Sequence, residues 1–206
     1  MSVEREDLWT ALLRSGEALA TDEDYEHGYK RDVPQDLQQY VTFRVAGEIY
    51  GLPIKLAGFY VGAGLYGIEI MRIKEVIQAR SLTVRPVPFA PAIVEGVIQL
   101  RGVVIPVVDL RRRFDSPIDP AIEHLNKLII VSVAGRIAGL KVDRVLGELR
   151  VAVGSLRPAP SMLRPEVERG IENVFSGVSR ISRDRSDAEM VFVINLDVLL
   201  RTSGGK

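Results

Sequence analysis

The residues able to do chemistry in this chain are few. There is no cysteine, and the imidazoles are limited to His27 and His124. Disulfides, thiol nucleophiles and cysteine metal sites are therefore excluded. Gly62-Ala-Gly-Leu-Tyr-Gly67 spells the glycine spacing that cradles a dinucleotide pyrophosphate. That chemistry needs a strand–turn–helix around the glycines and an acidic residue about 20 positions on. Leu82 to Val87 offers no such acid, and the residues following the glycines are strand-like, so they read as hairpin glycines. No serine stands in a nucleophile elbow, and no phosphate-binding glycine-lysine loop occurs. Asp109 and Asp143 stand at the ends of apolar runs, where aspartate caps helices and turns. The remaining charges of interest are Glu75, flanked by Ile73 and Val76, and Arg101, flanked by Leu100 and Val103. Such charges either pin a turn as an ion pair or sit inside an apolar docking surface. The residues alone leave both readings open.

The elements that would position them read as short strands. Pro86, Pro88 and Pro91 make a rigid spacer that is neither helix nor central strand. Gly96 to Leu100 and Val103 to Val108 form two strands about an Arg101-Gly102 turn. The second is apolar on both faces, so it is expected to be buried on both sides, with Pro106 marking an edge or bulge. Asp109 then caps a short helical turn. Further strands are expected at Tyr40–Val45, Ile49–Ile54, Leu65–Ile70, Leu128–Val133, Ile137–Val142, Leu149–Val153, near Gly170-Ile171, and at Met190–Leu196. A short helix follows from Asp197. Ser116 to Asn126 reads as a polar loop with a helical turn, Arg157 to Pro165 as irregular chain, and Ser176 to Glu189 as a polar loop. Leu8, Trp9, Leu12, Leu13 and Leu19 have the spacing of an amphipathic helix over residues 3–20, and Thr21 to Asp36 reads as a linker.

The zero net charge conceals an asymmetry. Residues 1–40 hold ten acidic and four basic residues out of 27 of each, so the remainder is net basic by six. Its arginines are scattered, apart from Arg111-Arg112-Arg113 and Arg180 to Arg185, and few aromatics accompany them. A solvated surface is thus expected before a nucleic-acid site. No window approaches a bilayer-spanning apolar run, and the N-terminus is acidic, so a cytoplasmic protein without membrane insertion is expected.

The chain resembles the CheW family of bacterial chemotaxis coupling proteins. The likeness rests first on P-x-P-x-x-P-x-x-x-x-G-V-I-x-L-R-G-x-V-I-P-V-x-D-L-R, from Pro86 to Arg111. It continues through Tyr66-Gly-Ile-Glu-Ile-Met-Arg-Ile-Lys-Glu-Val76, Leu128 to Val145, and Phe192 to Leu200, in order from about Tyr40. The resemblance implies two small five-stranded SH3-like barrels packed side by side. It also implies a non-enzymatic adaptor with no cofactor or metal, whose partners are a chemoreceptor's cytoplasmic tip and a histidine kinase regulatory domain. The receptor contacts it implies are Ile70, Ile73, Glu75, Gly96 and Arg101; the kinase contacts are Leu140, Val142 and Val145. It divides the chain into an acidic extension, 1–39, the family domain, 40–200, and a flexible tail, 201–206.

One departure stands out. Val45-Ala-Gly-Glu-Ile-Tyr-Gly-Leu-Pro-Ile54 is echoed sixteen residues later by Val61-Gly-Ala-Gly-Leu-Tyr-Gly-Ile-Glu-Ile70. The second copy runs into Ile73-Lys-Glu-Val76, so it takes the family's strand. The segment from about 51 to 66 then reads as an insertion lying outside the core. Two other functions fit the composition: a regulatory barrel sensing a small molecule in a pocket made by that insertion, and a small barrel that binds nucleic acid.

Overall fold

The computed structural model describes residues 21–27, 43–45, 48–50, 54–159, 174–184 and 187–200. The expected helix over 3–20, the strand near Gly170-Ile171 and the tail lie outside these residues. The strands are β1 (Phe43–Val45), β2 (Glu48–Tyr50), β3 (Ile54–Val61), β4 (Gly64–Glu69), β5 (Ile73–Gln78) and β6 (Val94–Leu100). They continue with β7 (Val103–Asp109), β8 (Lys127–Val133), β9 (Arg136–Val142), β10 (Arg144–Val151), β11 (Phe175–Asp184) and β12 (Asp187–Ile194). Three short helices accompany them: α1 (Asp22–His27), α2 (Leu110–Arg113) and α3 (Leu196–Leu199).

Ten strands form two five-stranded sheets, ordered β10-β3-β4-β12-β11 and β5-β8-β9-β7-β6. The two orders are the same pattern. Each has one parallel pair, β4 with β12 and β7 with β9, and one strand of each pair, β12 and its counterpart β7, ends in a capped helical turn. Asp109 accepts from the Arg111 amide at the start of α2, and Asn195 accepts from the Asp197 and Val198 amides at the start of α3. The chain crosses between sheets twice, after β4 and after β9. The second barrel, β5 to β9, is therefore one contiguous stretch of sequence inserted between β4 and β10 of the first.

Apolar alternation explains the packing. In β8, Leu128 and Ile130 line the core of the second barrel, whereas Ile129, Val131 and Val133 face the other way, into a core shared by both barrels. β3 does the same: Leu56 faces the first barrel's own core, while Ala57, Phe59 and Val61 face the shared one. Strands buried on both faces must be apolar at consecutive positions. That is why the runs Leu128–Val133 and Val103–Val108 lack a polar face.

Four expectations change. β7 lies between β6 and β9, so Pro106 is not on an edge; β9 meets β7 only from Val107 on, and the bulge falls on β6 between Val94 and Gly96. Ser176 to Glu189 belongs to a paired β11–β12 ladder and not a loop, because the pairing uses the backbone of polar and apolar residues alike; Val178, Ser179 and Ile181 are buried. The ends of the expected strand Ile49–Ile54 belong to different sheets: Ile49 and Tyr50 to β2, Ile54 to β3. Finally, the segment 51–66 is not outside the core. β3 is flanked by β10 and β4, with Leu56 and Phe59 fully buried. Among the described strands, those outside both five-stranded sheets are β1 and β2, a separate two-stranded sheet. Its register, Phe43 opposite Tyr50 and Val45 opposite Glu48, repeats that of β3–β4, Phe59 opposite Tyr66 and Val61 opposite Gly64.

Deleting residues 43–50 should therefore leave a cooperative thermal transition within a few degrees of the parent. Phe59→Ala should cost about 3–5 kcal/mol in chemical denaturation. A molten deletion variant would show that the outer hairpin belongs to the core.

Candidate functional site

β5 and β6 are the two free edges of the second sheet. Closing the sheet into a barrel brings these edges toward each other, and polar groups gather along the seam. Glu75 lies on β5. Arg101 lies at the tip of the β6–β7 hairpin, where it and Gly102 both have positive φ, 51° and 85°. A two-residue turn of this kind matches the twist of the strands it joins. It also aims the Arg101 side chain across the seam. The guanidinium meets the Glu75 carboxylate in two parallel bonds, Nη1 to Oε1 at 2.6 Å and Nη2 to Oε2 at 2.9 Å. Forked pairing of this sort fixes both side chains. The pair remains partly open to solvent, at 29% and 18% side-chain exposure, so it holds geometry more than it adds stability.

A third residue completes the seam. The Tyr25 hydroxyl, from α1, donates to Glu75 and accepts from Arg101 Nη1 at 3.0 Å. Its ring joins the second barrel's core, 5% exposed, with the Arg101 guanidinium 5.7 Å from the ring centre. Burial, the bond to Glu75 and that residue's negative charge push the Tyr25 phenol well above its ordinary value, outweighing the opposing pull of Arg101. Tyr25 fell within the stretch read as a linker. The helix there is short and polar, and only its contacts reveal it.

The other expected contact residues divide. Ile70 and Ile73 are half-buried beside the seam, at the crossing from β4 to β5, and pack on the shared core. Met71 and Val76, on the same stretch, are exposed at 69% and 42%. Gly96 is buried: a Cβ there would meet the Arg85 carbonyl oxygen at 2.2 Å, so its role is close backbone approach. Leu140 and Val142 are fully buried in the shared core and present no surface, while Val145 is half-buried on β10 opposite Phe59. The inward face of β9 follows from its place between β8 and β7, which one strand's sequence does not disclose.

Two further residues emerge only in three dimensions. Arg111 was grouped with the solvated arginines, yet it is 1% exposed. It binds Asp109 through Nε to Oδ1 at 3.0 Å and Nη2 to Oδ2 at 2.8 Å, and its Nη1 lies 3.8 Å from Asp143 Oδ1. Asp143 in turn accepts the Gly62 amide at 2.6 Å. Burial opposes the charge on Arg111, but the bond to Asp109 and the charges of Asp109, Asp143 and Glu123 more than offset it. The second is Phe89, fully exposed at the tip of the Pro86–Pro91 spacer with φ of 61°. A lone aromatic between prolines was the available signal.

A family model described as the CheW-like domain matches residues 55–204, starting at β3. Chemotaxis protein CheW of Treponema pallidum is 33% identical over 112 residues, 53% of this chain and 65% of that protein's length. A probable chemotaxis protein CheW of Rhizobium etli is 31% identical over 147 residues, covering 70% of this chain and 86% of that one. The crystal structure of the scaffolding protein TtCheW from Thermoanaerobacter tengcongensis superposes with a TM-score of 0.62 at 30% identity, over 75% of this chain and 97% of that one. Among the described residues no helix is long and apolar enough to cross a membrane.

Two measurements check this site. Arg111→Ala leaves two buried carboxylates facing each other and should cost about 3–5 kcal/mol of unfolding free energy, read from denaturant midpoints. A folded tyrosine with a raised pKa contributes stability that is intact below the ordinary tyrosine value of ~10 and is lost as pH rises above it. Stability should thus fall above about pH 10, and Tyr25→Phe should flatten that fall; an equally steep loss in the variant would remove Tyr25 as its source.

Proposed function

This chain belongs to the CheW-like domain family, and on that footing we propose that it is a chemotaxis adaptor, a non-enzymatic scaffold that couples chemoreceptors to a histidine kinase. The observation that carries the reading is the family match across 55–204, which takes in both barrels. The seam supports it. A forked ion pair set among half-buried Ile70 and Ile73 and exposed Met71 and Val76 has the composition of an interface centre, with apolar anchors around an ordered charge. In this reading Ile70, Ile73, Glu75 and Arg101 meet the receptor's cytoplasmic hairpin tip. Phe89, held away from the body by prolines, is an anchor for another protein surface. On the kinase side Val145 contributes from β10, and Leu140 and Val142 support it from beneath. The protein works in the cytoplasm, and residues before 55 are an addition to the domain.

An adaptor of this kind does no chemistry. It holds two partners by modest interfaces and converts separate encounters into intramolecular ones, so its effect is concentration. Among the described residues no three metal-ligating side chains cluster. Sensing through a pocket in the insertion finds no support, since residues 54–61 are a packed strand.

The test is a reconstituted array of receptor, kinase and adaptor. Arg101→Asp should lower kinase activation by about tenfold or more, in line with the ~1–4 kcal/mol typical of an interface arginine, while the melting temperature moves by only a few degrees. Phe89→Ala should weaken assembly with no change in melting, because the ring touches solvent alone. Normal activation by Arg101→Asp, or its unfolding, would count against the reading.

A further inference from the structure

The charged centre of the surface proposed for the receptor is already met by the chain itself. α1 is anchored at several points of different chemistry. Thr21 makes an antiparallel bridge to Arg136, and the Asp22 amide donates to the Gly135 carbonyl at 3.0 Å. The Asp22 carboxylate accepts from Ser132 Oγ and lies 3.3 Å from Lys74 Nζ. Tyr25 then reaches over β5 to Glu75 and Arg101 and seals the mouth of the second barrel. The segment therefore spans the seam from the β8–β9 turn to the β6–β7 turn. It fastens on Lys74 and Glu75, the middle of the very strand that carries the proposed contacts.

We propose that residues 21–27 are a competitor in cis: a helical turn that covers the Glu75–Arg101 surface and must leave before an external helix can dock there. This rests on the docking reading above, and it gives that reading a partner chemistry. What the surface holds in cis is one turn of helix presenting an aromatic hydroxyl to a glutamate–arginine fork, preceded by a carboxylate beside Lys74. An external helix that replaces it meets the same demands: a buried apolar or aromatic side chain at the barrel mouth, a hydrogen-bonding group for the fork, and an acidic residue toward Lys74. Asp22 and Lys74 meet at the rim, with 29% and 26% of their side chains exposed, which suits a segment that opens. If the closed form outnumbers the open one by about ten to one, apparent affinity for the external helix falls by about tenfold.

The experiment uses the full chain and two mild substitutions outside the fork. Asp22→Lys reverses the charge beside Lys74 and removes the acceptor for Ser132. Tyr25→Phe keeps the ring and deletes the bonds to Glu75 and Arg101. Amide hydrogen exchange is measured first, with no partner present. Both substitutions should speed exchange over Ile73–Gln78 and Arg101–Val103, leaving the β11–β12 hairpin as it was. Unchanged exchange overturns the proposal. Binding to a purified chemoreceptor cytoplasmic hairpin fragment is measured second, with Arg101→Asp as the control. Asp22→Lys should bind about tenfold more tightly than the parent. Weaker binding would make α1 part of the docking surface and overturn the competition. If Arg101→Asp binds as the parent does, the docking reading fails by itself, and the exchange result alone decides whether α1 is a cover.

Discussion

One buried cation sits where the two barrels are tied together. Arg111 follows β7 in the second barrel, Asp143 stands where the chain crosses back after β9, and Gly62 is the turn between β3 and β4 of the first. A guanidinium taken out of water costs several kcal/mol unless its donors are met and its charge is balanced. Here the balance comes from two carboxylates on separate elements, and one of them also holds a backbone amide of the other barrel. The arrangement is tolerable only when all the pieces are in place. It penalises any packing of the two sheets that leaves Asp143 away from Arg111, and so contributes to register more than to net stability.

Around that point the molecule is a matter of faces. Each sheet has its own core, and both share a third. The doubling of apolar faces is what made so much of the fold legible in sequence: Val103–Val108, Leu128–Val133 and Met190–Leu196 could be read as buried strands because they lack a polar side. The same property hid which residues lie between the sheets. Leu140 and Val142 look like Ile137 in sequence, and only the pairing of β9 between β8 and β7 tells which way each points.

Where structure and sequence part, the cause is that composition does not disclose the partners of polar residues. β11 carries arginines and serines, but ladder bonds come from its backbone. Arg111 stands in a run of three arginines, yet two aspartates that are 34 residues apart in sequence make it the one that can be buried. Tyr25 lies in an acidic stretch without apolar periodicity, and its place is set by Glu75 and Arg101, charges 50 and 76 positions away. Glu75 and Arg101 themselves were legible, because an isolated charge between apolar strand residues needs a partner. That the partner was mutual, and that a third group joined it, required the curvature of the sheet.

The paired hairpins have an implication for synthesis. A chain leaving the ribosome exposes Phe43–Tyr50 sixteen residues before its counterpart, with the same spacing and the same cross-strand partners. For a time the nascent first barrel has only the earlier candidate for a place that the later one will take. What tells them apart is small. Position 58 is glycine, and any Cβ there would stand 2.4 Å from Leu149 of β10; the corresponding residue of the earlier copy is Thr42. Position 69 is glutamate where the earlier copy has Pro53, which lacks the amide a ladder uses. Because β10 is made some ninety residues after β3, the choice stays open until late in translation. It then turns on two positions, a missing side chain at 58 and a missing amide at 53.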